Sequence, residues 1–149
     1  MWALAIALDF SAGLVGGGRK WKLHPTHFAE RHGLIVIIAF GESIVATGIG
    51  AEGIDLTAGV LAAAVLSIVL AAALWWAYFD VVAIVAARRL SEAGRVEQRL
   101  MARDSCSYIH LLMITGIVLV ALGAKKTIAD VDEPLKTVPA IALCGGVAL

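Results

Sequence analysis

Apolar residues run along this chain in unbroken blocks, without the strict alternation of a half-buried strand. A bilayer core of about 30 Å needs about 20 helical residues. The blocks at 26–50, 56–87 and 105–124 reach that length. Pro25 stands just before the first of them, and proline at a first helical turn is a start signal because its missing N–H would go unpaired there anyway. Two further blocks, 1–17 and 137–149, are apolar but incomplete; the last makes only about 20 Å of helix. The pattern predicts an all-α, polytopic transmembrane helix bundle. Residues 1–149 are expected to form a single membrane domain, a fragment of a larger membrane protein with three complete spans and a partial span at each end.

Composition agrees. Hydrophobic residues make up 60% of the 149 and charged residues only 16%, against about half and a quarter in soluble domains. Twelve basic residues balance twelve acidic ones, leaving no electrostatic footprint for nucleic acid. The expected surroundings are the lipid bilayer and the remaining spans of the full-length chain. MWALAIALDF lacks the basic start of a signal peptide, so no targeting signal is expected. Cys106 and Cys144 sit in or beside apolar runs without metal-like spacing and read as small buried thiols.

Charge between the spans sets their direction. The 18–32 and 88–103 segments carry nine basic residues: Arg19, Lys20, Lys22, Arg31, Arg88, Arg89, Arg95, Arg99 and Arg103. The alternate segments, 51–55 and 125–136, carry three: Lys125, Lys126 and Lys136. Segments 18–32 and 88–103 are therefore expected in the cytoplasm.

Small residues recur every fourth position at Gly59, Ala63, Ser67 and Ala71, and again at Ala39, Ser43 and Thr47. Such strips let helices approach closely in lipid; a narrow pore lining is the competing reading. Trp75, Trp76, Tyr78 and Phe79 read as an interfacial belt, yet the apolar run continues to Arg88 and draws Asp80 towards the bilayer interior.

Ionisable groups inside spans are costly and mark functional hypotheses. Here they are Glu42, Asp80, His110 and Asp9. Glu42 lies about 13 Å from the inner edge, Asp80 about 12 Å and His110 about 9 Å, so they share a depth. On a helical wheel His27, Arg31 and Glu42 fall within about 60°, with His24 beside them; Arg103, Ser107 and His110 share a face of the third span. Such stripes are expected to face protein or water. Three explanations compete: a structural Glu42, protonated or paired with Arg31 or a histidine; a proton or ion path with Glu42 as carrier; or a metal held by His24, His27, Glu30 and His32, or a haem between His27 and His110. No HExxH spacing, nucleophile motif or phosphate loop stands out, and Gly16–Gly18 lacks the lysine of a P-loop. Neither cofactor, metal nor enzymatic activity is expected.

The segment HPTHFAERHGLIVIIAFGESIVATG, residues 24–48, resembles the signature of the bacterial low temperature requirement protein A (LtrA) family. The match rests on His27, Glu30, Arg31, Gly33, Leu34, Gly41, Glu42 and Ser43, with Phe40 where leucine is usual. WWAYFD (75–80) and ARDSCSYIHLLMITGIVLVALG (102–123) are similar to later parts of the family, and Trp2 and Asp9 to its preceding span. The resemblance implies an all-helical, multi-pass protein of the bacterial inner membrane, named for a growth phenotype, with Glu30, Arg31, Glu42 and Asp80 as family features rather than catalytic groups. The combined expectation is a proton- or ion-coupled transporter or channel-like protein with an intramembrane carboxylate. The alternative is a structural or stress-adaptation component that does not transport.

Overall fold

The computed structural model describes residues 24–149, together with Leu4, Ala5, Leu8 and Ser11. Asp9, Trp2, the glycines at 16–18 and the basic residues Arg19, Lys20 and Lys22 lie outside the described residues. So do the side chains of Cys106 and Ser107.

Every regular element described is helical: α1 (Pro25–Gly50), α2 (Ala58–Ala77), α3 (Ala83–Glu92), α4 (Arg95–Met101), α5 (His110–Ala129) and α6 (Thr137–Ala148). Two π-helical segments interrupt them, Tyr78–Val82 between α2 and α3, and Ala102–Ile109 before α5. Among the described residues, three helical stretches are long and apolar enough to cross a membrane: His27–Gly50, Ala58–Glu92 and His110–Ala129.

Local chemistry sets the ends. Pro25 opens α1, and Thr57 caps α2 by accepting a hydrogen bond from the Val60 amide at 3.3 Å. Gly53 turns the connection between them with φ +75°, a backbone shape that L side chains rarely take. The second helical run goes on past 87 to Glu92, because Arg88 and Arg89 are good helix formers and Arg88 pairs with Glu92 one turn on. The third run ends at Ala129 rather than 124. Lys125 and Lys126 stay helical, where cations suit the negative end of the helix and their stems can follow apolar surface. The connection 88–103 is thus mostly helix, broken only where Ala93 and Gly94 turn extended.

α1 packs mainly on α5, and α5 on α6. The packed face of α1 runs through Val36, Ala39, Phe40, Ser43, Thr47 and Gly50, so the Ala39–Ser43–Thr47 strip is a packing seam. Its hydroxyls stay inside their own helix: Ser43 Oγ donates to the Ala39 carbonyl at 3.1 Å and Thr47 Oγ1 to the Ser43 carbonyl at 3.0 Å. The seam can therefore be dry. Gly50 ends it against the Lys125 backbone, and a Cβ there would lie 2.8 Å from the Lys125 carbonyl oxygen. Ala71 is buried, and Ala63 and Ser67 are half-buried, so the other strip also faces the bundle.

The first π segment has a clear packing consequence. Up to its first residue the covered positions include Val60, Ser67, Ala71, Leu74 and Tyr78; within and beyond it they are Phe79, Ala83, Ala87 and Leu90. An uninterrupted α-helix would turn residues 82, 85 and 89 inward, and all three are exposed. The wider turn absorbs one residue, about 100° of phase, so both halves keep a face on the bundle.

The α5–α6 interface went unnoticed among the strips in the sequence. Gly116, Gly123 and Gly146 bring the two backbones together. Cys144 points away from this interface and is exposed, which corrects the expectation of a buried thiol; α6 packs through Ala142 and Gly146 instead.

Candidate functional site

At the Arg-rich end of the bundle, the start of α1, the first π segment, α3 and the start of α5 line an open-sided cavity of about 860 Å³. Gly33, Leu34 and Ile37 supply one wall, Phe79, Val82 and Ala83 a second, and Ile109 and Met113 a third. Its polar lining consists of Glu30, His32, Tyr78 and His110. A large, mostly apolar cavity with a few convergent polar groups is the usual form of a small-molecule site.

His32 and His110 meet edge to face, their ring centres 4.9 Å apart, and Tyr78 stands 6.2 Å from the His110 ring. His32 Nδ1 donates to the Phe28 carbonyl at 2.8 Å. A carbonyl only accepts, so Nδ1 carries the proton, and Nε2 of a neutral His32 is left as an acceptor. His110 Nε2 is buried and has no hydrogen-bond partner among the described residues.

The residues singled out in the sequence divide between two sides of α1. His110 lies inside, against His32. Glu42, His27, Glu30 and Arg31 are exposed, and the stripe through His27, Arg31 and Glu42 points about 120° or more from the packed seam. Among the described helices α5 and α2 cover the Ser43 side of α1 and leave this stripe uncovered. Asp80, on the π segment, is exposed as well. His27 Nδ1 pairs with Glu30 at 3.2 Å, and His24 stacks edge-on to His27 at 6.2 Å. His27 and His110 therefore do not face one another, and the His32–His110 edge contact leaves no plane between the rings for a porphyrin. Among the described residues no three His, Cys, Asp or Glu side chains gather around a metal position.

The second π segment spans the stretch between Arg103 and His110, so a wheel of constant pitch does not set their relative directions. The Arg103 guanidinium grips Asp104 through two hydrogen bonds, 2.6 and 3.1 Å. The bond from Arg103 holds the Asp104 carboxyl below the usual carboxylate range. What this pair contributes is present above that range and fades as pH falls through the lowered value; both groups meet solvent, so the contribution is small.

His32 was legible only as a member of a histidine cluster. The missed signal was the seam itself: continued backwards at three- and four-residue steps, Thr47, Ser43, Ala39 and Val36 lead to His32. The π segments have no such signal.

No curated protein and no solved structure matches the chain. The family model for the bacterial low temperature requirement A protein (LtrA) matches residues 1–149. With three membrane-length helices and that match along its whole length, the chain belongs to the bacterial low temperature requirement A family.

Proposed function

We propose that this protein is a proton-coupled membrane transporter whose solute site is the cavity of about 860 Å³ and whose intramembrane carboxylate is Glu42. The cavity carries the reading. It has the size of a small-molecule site, apolar walls that suit a largely apolar solute, and two imidazoles in its lining, the side chain most often used to relay protons. Glu42 lies on the outward face of α1, where a charged group needs a further span, a second copy or water beside it. On this reading, filling the cavity stops flux without unfolding the bundle. Ala87→Trp, at the half-buried edge of the cavity, should abolish solute-driven pH change in proteoliposomes while the unfolding midpoint stays near that of the parent. Unchanged flux of every solute that the parent carries would remove the cavity from the mechanism.

The second reading is a structural or stress-adaptation component of the membrane. The tight α5–α6 interface and the dry α1 seam favour it, since both serve rigidity. Absence of flux across a broad solute panel, together with a normal unfolding transition, is its expected signature.

The Arg-rich end is assigned to the cytoplasm of a cell whose inner membrane holds the protein, on the excess of basic residues there. Ser91 is exposed on α3. With Cys106 and Cys144 replaced by serine, Ser91→Cys should resist membrane-impermeant thiol reagents added to intact cells and react after lysis. Rapid labelling from outside reverses the topology.

A further inference from the structure

A second, smaller groove of about 390 Å³ lies beside the cavity, between α3 and the end of α4, and shares Val82, Ala86 and Leu90 with it. Its walls are Val81, Val85, Leu90 and Met101, and its only charged side chain is Arg89. Five arginines and two glutamates fall between residues 88 and 103, but they are not equally available. Arg88 is held by Glu92 at 2.8 Å and Arg103 by Asp104 at 2.6 Å. Arg89 is exposed and has no carboxylate within ion-pair distance among the described residues.

We propose that this groove binds one anionic phospholipid, its phosphate on Arg89 and one acyl chain along Val85 and Val81. Three observations converge on that occupant. Arg89 stands where the apolar run gives way to charge, the depth at which phosphates lie in a bilayer. Val85 and Val81 follow it at four-residue steps, giving an apolar track about 12 Å long that leads from the cation into the hydrocarbon. The surrounding arginine excess favours a headgroup with net negative charge and disfavours one carrying its own cation. A free phosphate would use Arg89 alone and leave the track empty, whereas a lipid uses both. The site adjoins the cavity, and its test reads lipid retention and not what the cavity carries.

The test measures lipid retained by the detergent-solubilised protein, using native mass spectrometry with phosphatidylglycerol, phosphatidylcholine or inorganic phosphate added at equal concentration. Phosphatidylglycerol should be retained at one per chain, at least tenfold more strongly than phosphatidylcholine, and phosphate not at all. Arg89→Gln should weaken retention at least tenfold. Arg88→Gln removes the same charge from a residue already paired and should leave it within twofold. Val85→Trp keeps every charge and fills the track, so it should also lose the lipid. If Arg89→Gln fails to fold, Val85→Trp decides. Equal loss in Arg88→Gln and Arg89→Gln, retention of phosphatidylcholine as strong as phosphatidylglycerol, or full retention in Val85→Trp overturns the proposal.

Discussion

Replacing Gly123 with alanine should cost about 1–3 kcal/mol of stability, the usual range for forcing atoms into a packed interface. The added Cβ would sit 2.7 Å from the Leu143 Cβ and 3.0 Å from the Leu143 Cα and backbone nitrogen. Backbone cannot rotate away as the end of a long side chain can, so α5 and α6 must separate. Gly116 meets the same obstacle, with the Gly146 carbonyl oxygen 2.7 Å from its added Cβ. The two glycines are seven residues apart, two turns on one face of α5, and the double substitution should prevent α6 from docking. Gly145 supplies the control. It precedes Gly146 on the same helix, yet nothing lies within 4 Å of its added Cβ. Gly145→Ala should therefore be neutral or stabilising by up to about 1 kcal/mol through helix propensity. Reversible unfolding in mixed micelles measures all four proteins. Equal effects at Gly123 and Gly145 would show that the interface is looser than its glycines require.

Glu42→Gln should abolish flux if Glu42 carries the proton, because glutamine keeps the size and hydrogen-bonding groups of glutamate and cannot ionise. Expression and unfolding midpoint should then stay near normal. The described helices give Glu42 no cover: it is exposed, and Arg31, on the same stripe, is eleven residues and about 16 Å away. Any partner must come from another span or another copy. If Glu42 forms a buried ion pair there, the substitution should destabilise the protein by about 3–5 kcal/mol, because the partner is left uncompensated. If it serves as a neutral hydrogen-bonding group, both flux and stability should survive. Normal flux with normal stability sinks the proton path. Flux in proteoliposomes and unfolding of the same preparations separate the three outcomes.

The helical architecture was legible because lipid imposes one strong rule: a span must be long, apolar and hydrogen-bonded within itself. Pro25 marked its helix start for the same local reason in sequence and structure. Helix ends were less legible, since arginine and lysine signal a loop by charge yet favour helix by propensity, and at Arg88, Arg89, Lys125 and Lys126 propensity prevailed. The small-residue strip through Ser43 was readable, but which side of α1 meets the bundle was not. A polar stripe and a small-residue seam lay on opposite sides, and packing followed the seam. His110 follows directly on the second π segment, which resets the phase by an amount that a wheel of constant pitch does not contain.

The second membrane-length helix is 35 residues from Ala58 to Glu92, about 52 Å of axis. The hydrocarbon of a bilayer is about 30 Å thick, so some 20 Å of this rod stands beyond it if it runs upright. Such a rod is a lever with a widened joint partway along. Tilting it by 10° sweeps its tip sideways by about 9 Å, and that tip carries Arg88 and Arg89 while its inner flank carries Ala83 and Ala87, the movable side of the cavity. If bilayer thickness sets that lean, thickness and cavity width are coupled through this one helix.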